Sequence, residues 1–213
     1  MKLFGACLTI LVVGSFVPKA NAGDVQAGIS ISDGGIKGFY LAIGETYKVP
    51  EREVVVVRDR HVPDDELPIV FFIAARAKVA PGLVVDFRLG RHSWFEVAQH
   101  FGVGPDAFFV EFSKEPGPPY GKAWGYYHKH PRNEWHRIVL ADDDIVNLVN
   151  LRLMTTRYNC TPDEVVRLRS GKRGFVAIHT EIERDHGNRT RKTKVVAVKE
   201  GKGPKGKKHG KDK

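Results

Sequence analysis

The sequence predicts a mostly α protein of repeated short helical hairpins (helix–turn–helix units), with minor β-structure as the alternative in a few places. Three observations lead there. A short Pro-led pattern recurs four times, capping residues and glycines bracket the helices it implies, and residues 142–158 are apolar with a period near 3.6.

The recurring pattern orders the chain. Residues 47–55 read YKVPEREVV, 77–85 AKVAPGLVV, 101–109 FGVGPDAFF and 158–166 YNCTPDEVV. Each copy holds one apolar residue (Val49, Val79, Val103, Cys160), then a nearby proline. A pair of apolar residues follows five and six places on: Val54/Val55, Val84/Val85, Phe108/Phe109 and Val165/Val166. An arginine stands nine places on in three copies, at Arg58, Arg88 and Arg169; the remaining copy has Phe112 there. The longest match aligns 81–97 (PGLVVDFRLGRHSWFEV) with 162–178 (PDEVVRLRSGKRGFVAI) without a gap, an offset of 81 residues.

Helices follow in chain order. Asp33 is an N-cap candidate for a helix over 34–47, and Asp64 or Asp65 for one over 66–78. Pro81 suits the first position of a helix over 81–89, because its missing N–H has no partner there to lose. Gly90 then offers a residue able to take positive φ at the helix end. Ser93 with Glu96 forms a capping box for 93–101. Asp142 starts 142–158, where Ile145, Leu148, Val149, Leu151, Leu153 and Met154 make a broad apolar face. Thr161, Pro162 and Glu164 start 162–170, and Gly171 ends it. Residues 54–57 and 195–198 are β-branched runs and 70–73 is strongly apolar, so a strand pair at either end is the rival reading.

The ends of the chain differ in composition from the middle. Residues 1–22 carry an early lysine, an apolar run and Ala20-Asn21-Ala22 before Gly23, the layout of a cleaved secretory signal peptide. The apolar run is too short for a membrane span, and no later segment is long and apolar enough for one. The mature chain would be periplasmic or secreted. Two basic residues lie in the signal and seven lysines in the tail 199–213, which also holds Glu200 and Asp212. Of 34 basic and 25 acidic residues, that leaves 25 and 23 in the body, which is nearly neutral. The lysine-rich tail has no apolar residues to bury and is expected to be disordered, as a solvated end or a tether to anionic surfaces. The body divides into a helical repeat region, 23–112, a Pro/Gly/aromatic segment, 113–137, and a C-terminal helical repeat, 138–198. The middle segment reads as an ordered loop or a linker, so the repeats form one body or two halves.

Candidate binding residues concentrate in that segment. His128, His130 and His136 could ligate a transition metal, as periplasmic metal-binding proteins do, or be surface histidines. Tyr120, Trp124, Tyr126, Tyr127 and Trp135 could stack on a sugar or peptide, or anchor the segment to the core. Arg88 and Arg169, with Arg58, could form a basic stripe for anions, or complement helix C-termini. With Cys7 in the signal, Cys160 is the one cysteine of the mature chain, so no internal disulfide forms. Its place in the valine slot of the repeat predicts a small buried side chain. No G-x-S-x-G, H-E-x-x-H or phosphate-loop motif is present, and the acidic residues are scattered.

Residues 94–109 (WFEVAQHFGVGPDAFF) resemble the helix-turn-helix of DNA-binding proteins, with Ala98 and Gly102 at familiar places, and also a lysin-motif helix. The latter resemblance implies cell-wall glycan binding; export argues against sequence-specific nucleic acid. The segments LVNLRLMTTRYNCTPDEVVRLRSGKRGFVAI and PGPPYGKAWGYYHKHPR resemble a family of exported bacterial proteins of unknown function, which implies the compartment and no activity. The expectation is an exported, non-enzymatic binding or structural protein of the cell envelope. Its partner would be a polysaccharide, a protein or an anionic surface, and no cofactor is implied beyond the transition metal of the metal-binding alternative. An enzyme of unrecognised class is the third reading.

Overall fold

The computed structural model describes residues 34–171 and 173–186. The expected signal peptide, the Asp33 cap candidate, the 195–198 run and the lysine tail lie outside them. Among the described residues there are nine α-helices: α1 (Gly34–Tyr47), α2 (Glu51–Arg58), α3 (Leu67–Ala77), α4 (Pro81–Leu89), α5 (Trp94–His100), α6 (Gly121–Lys129), α7 (Asp142–Tyr158), α8 (Pro162–Ser170) and α9, over 175–186. Among the described residues there is no strand. Residues 54–57 and 70–73, the rival strands, lie inside α2 and α3. Helical spacing lets α2 bury Val54 and Val57 while Val56 stays 60 % exposed, a division that strand alternation would not give.

The repeated pattern has a physical meaning that the letters alone do not show. It is a helix stop followed at once by a helix start. Lys48, Lys78 and Asn159 take the left-handed conformation just after α1, α3 and α7, with φ of 60°, 57° and 51°. The next residue's N–H reaches back to a carbonyl five positions earlier: Val49 to Gly44 at 3.0 Å and Val79 to Ala74 at 3.1 Å. That is the Schellman arrangement, which satisfies helix-end carbonyls and turns an apolar residue back onto the helix. Val103 does the same to Ala98 at 2.8 Å, with Gly102 at φ 71° supplying the left-handed turn. The first apolar slot of the pattern is therefore the residue that closes this turn, and the proline behind it opens the next helix. At Gly44 an added Cβ would sit 2.8 Å from the Val49 carbonyl, so the tight α1–α2 turn requires glycine there.

The first aliphatic or aromatic of each pair occupies the same environment in all four copies. Val54, Val84 and Val165 are 0 % exposed and Phe108 is 1 % exposed. Cys160 is buried in the valine slot and its thiol donates to the Met154 carbonyl at 3.4 Å. Native protein is accordingly expected to react with a thiol reagent at least tenfold more slowly than denatured protein. Equal rates, followed by absorbance of the released chromophore, would show the thiol to be accessible.

The glycines after α4 and α8 behave differently from expectation. Gly90 has φ −68° and Gly171 φ −75°; positive φ falls one residue later, on Arg91 at 69°. The helix there tightens into short turns, Gly90 N–H to Phe87 and Arg91 N–H to Arg88, both 3.1 Å, which carry the chain one residue past the glycine. The capping box at Ser93 is present in full, with Glu96 N–H to Ser93 Oγ at 3.2 Å and Ser93 N–H to Glu96 Oε2 at 2.7 Å. Thr161 caps Glu164.

The hairpins pack by their first helices. α1, α3 and α7 touch one another, while α2, α4 and α8 fold back on the outside of their own partners. The 81-residue offset relates α3–α4–α5 to α7–α8–α9, so the match found over 81–97 extends into a third helix on each side. The two triplets are cross-linked through their caps. Asp142, at the start of α7, accepts the Trp94 N–H that opens α5 (2.7 Å). Asp65, in the short 3-10 turn Asp64–Glu66 before α3, accepts the Phe175 N–H that opens α9 (2.9 Å). Both aspartates were candidate caps for their own helices. The structure uses them to cap helices of the other triplet, because Pro63 and Ala141 already precede α3 and α7 with extended backbone. At α7 it is Asp144 that closes back onto the Ala141 N–H, at 3.1 Å. The buried residues form one apolar cluster to which α1 to α9 contribute.

Residues 113–137 are more ordered than a loop or linker. They contain α6 and a 3-10 turn over Arg132–Arg137, and three of their aromatic rings are buried.

Candidate functional site

The aromatic segment is held by polar handles on buried rings. The Tyr127 hydroxyl donates to the Pro105 carbonyl at 2.7 Å. Trp135 Nε1 donates to the carbonyls of Tyr127 and His130 at 3.2 and 3.1 Å. Tyr120, Tyr127 and Trp135 are 1, 4 and 8 % exposed, and Phe109 packs against the last two at 5.3 and 4.6 Å. Almost no ring face of these three is left for a ligand to stack on; they anchor the segment to the core. Trp124 and Tyr126 are half-buried. His128 already stacks on Trp124 at 3.9 Å, and the Lys122 ammonium lies 5.9 Å from the Tyr126 ring.

The three loop histidines do not meet. His128 Nδ1 pairs with the Trp124 carbonyl at 3.1 Å, His136 Nδ1 with Asn133 O at 2.9 Å, and His130 Nδ1 faces Glu134 at 3.7 Å. Among the described residues no three His, Cys, Asp or Glu side chains gather as a metal site would require. Closeness along the chain does not bring these residues together, because α6 and the 3-10 turn disperse them.

The repeated arginines turn inward. Arg88 ion-pairs with Glu66 at 3.2 Å and Asp142 at 2.9 Å, donates to the His92 carbonyl at 2.7 Å, and lies over the Trp94 ring at 4.7 Å. Arg169 does the equivalent. It donates to Asn147 Oδ1 at 2.9 Å and to the Arg173 carbonyl, and lies 4.5 Å over Phe175. Each guanidinium fastens the loop between the second and third helix of its triplet. Arg58 pairs with its neighbour Asp59 at 2.5 Å. All three stand in the last turns of α2, α4 and α8, where a cation complements the helix dipole. They do not form an open basic stripe.

A different pair of arginines does face open space. Arg76, in the last turn of α3, and Arg152, in the middle of α7, approach the same ring, Phe72, at 4.8 and 5.7 Å. With Thr46, Tyr47, Ala75, Leu153 and Thr156 they line a groove of about 300 Å³ where the C-terminal halves of α1, α3 and α7 come together. Arg152 is anchored by two carbonyls, Ala107 at 3.1 Å and Phe109 at 2.6 Å, both through Nη2. Among the described residues neither guanidinium has a carboxylate within ion-pair reach.

The contrast with the other triplet sharpens this. The residue at the 81-residue offset from Arg76 is Arg157, and Glu45 neutralises it at 2.6 Å. Arg76 has no carboxylate partner among the described residues and lies over the Phe72 ring. Burial and the neighbouring Arg76 charge both push the Arg152 proton affinity down, the signature of two like charges sharing a partly dry place. Burial pushes the Tyr47 hydroxyl well up, while Arg152 and Arg76 pull it back. The buried Thr46 hydroxyl has no hydrogen-bond partner among the described residues. The groove therefore offers donors and positive charge, with the balancing acceptor absent among the described residues around it.

The sequence shows little of this. Arg76 ends an apolar run and Arg152 interrupts the apolar face of α7, which is the one available signal. Comparison with family models, with curated proteins and with solved structures finds no match for this chain.

Proposed function

We propose that this protein is a non-enzymatic binding protein of the cell envelope that takes an anionic group in the Arg76–Arg152 groove. The observation that carries the reading is a pair of guanidiniums over one ring with no carboxylate between them among the described residues. Arg152 is half-buried, and leaving its charge unneutralised beside the exposed Arg76 costs stability that an arriving anion recovers. The envelope assignment is supported by the signal-peptide layout of residues 1–22 and the lysine-rich tail. The binding assignment is supported by a groove that offers donors for an anion, in a chain without a catalytic motif.

The test is co-sedimentation of the full mature chain with cell-envelope fragments. Arg76→Gln, at an exposed position, is expected to lower the bound fraction several-fold, an effect that shrinks as salt rises. A companion chain lacking residues 199–213 separates the tail's contribution. Binding that follows the tail and ignores Arg76 would remove the groove from the account.

A further inference from the structure

Resting on that reading, we infer that the groove selects a small monocarboxylic acid with an apolar body, in preference to phosphate or any other dianion. Three features of the site point there.

The first is shape. At about 300 Å³ the groove is at the small end for a small-molecule site, and the half-buried Tyr47, the exposed Ala75 and the apolar stems of the arginines give it apolar surface, with Phe72 and Leu153 almost wholly buried behind them. A bare inorganic anion would leave that apolar surface wet. The second is donor supply. Arg152 commits Nη2 to the carbonyls of Ala107 and Phe109, which uses the nitrogen shared by both of its bidentate edges and leaves single donors from Nε and Nη1. Arg76 supplies a whole fork. One fork and a single further donor suit the two oxygens of one carboxylate.

The third is local charge. Thr46 and Tyr47 close α1, Arg76 stands in the last turn of α3, and Thr156 stands near the end of α7. Three helix C-termini therefore converge on the groove, each contributing about half a negative charge. These dipoles offset most of the two guanidinium charges. What remains attracts one negative charge and gives little support to a second.

The experiment is calorimetric titration of the full mature chain with four probes: 3-phenylpropionate, acetate, phenyl phosphate and inorganic phosphate. The expected order places 3-phenylpropionate at least about tenfold tighter than acetate, because only the former covers the apolar floor. It also places 3-phenylpropionate tighter than phenyl phosphate at a pH where the phosphate is a dianion. Arg76→Gln is expected to weaken 3-phenylpropionate about tenfold. Ala75→Phe, at an exposed position on the groove wall, is expected to abolish its advantage over acetate. Acetate binding as tightly as 3-phenylpropionate, or phenyl phosphate binding more tightly, overturns the inference and leaves the anion reading standing. Binding of none of the probes by a chain whose envelope binding still depends on Arg76 also overturns it. Loss of Arg76 dependence in both assays overturns both.

Discussion

Trp94→Ala is expected to destabilise the protein by about 4 kcal/mol, the upper part of the range for removing a buried aromatic ring. Trp94 is 0 % exposed. Its ring lies under the Arg88 guanidinium, its Nε1 donates to Glu66 at 2.9 Å, and its backbone N–H is capped by Asp142 from the other triplet. Alanine keeps the backbone cap but leaves a cavity, and it removes the donor that helps hold Glu66 against Arg88. Phe175→Ala is the matched lesion in the second triplet, where the ring lies under Arg169 and the N–H is capped by Asp65. Phe175 has no polar handle, so a smaller loss of about 3 kcal/mol is expected. Urea unfolding measured at constant slope checks both. A loss below about 1 kcal/mol at either site would mean that the two arginine-capped rings are not equivalent core elements.

Acid is expected to weaken the fold well before the carboxylates titrate. His179 is 0 % exposed, and its Nε2 meets the Tyr158 hydroxyl at 2.5 Å. The ring packs edge-on against Phe39 and Tyr158, and its Nδ1 has no partner among the described residues. Burial lowers its pKa from 6.5 to about 4, and the nearby Arg157 charge adds to the effect. The tyrosine hydroxyl is therefore the donor and the imidazole is neutral in the folded protein. The unfolded chain takes up a proton at His179 as pH falls through 6.5, and the folded chain does not until about 4. Stability contributed by the neutral ring is thus complete above 6.5 and is lost between 6.5 and 4. Between pH 6.5 and 5 the loss is on the order of 2 kcal/mol, a fall in melting temperature of about 5 °C for a chain of this size. His179→Gln keeps an acceptor for Tyr158 and removes the titration, so its melting temperature should change far less over the same interval. A variant that melts with the same pH slope as the parent would assign the effect to other groups.

The helix boundaries were legible because they are local. Pro81, Pro162, Ser93 with Glu96, and Thr161 set helix starts through groups within four residues of one another, and α4, α5 and α8 begin where those signals lie. The burial of Val54, Val84, Phe108 and Val165 was legible for a related reason. A repeated spacing after a repeated turn delivers side chains to the same depth whenever the turns have the same geometry. The third helix of the second triplet, 175–186, carries no cap of its own that the sequence advertises. Its N-terminus is closed by Asp65, 110 residues away.

The same division runs through the candidate sites. The sequence by itself determined the hairpin pattern, the buried slot of Cys160 and the helix-end positions of Arg58, Arg88 and Arg169, because each depends on neighbours along the chain. Tertiary structure alone decided which arginines are neutralised. Arg88 finds Glu66 and Asp142, Arg157 finds Glu45, and Arg76 and Arg152 meet over Phe72 with no carboxylate partner among the described residues. Charge compensation acts through space over a few ångströms, and separation in sequence says almost nothing about it.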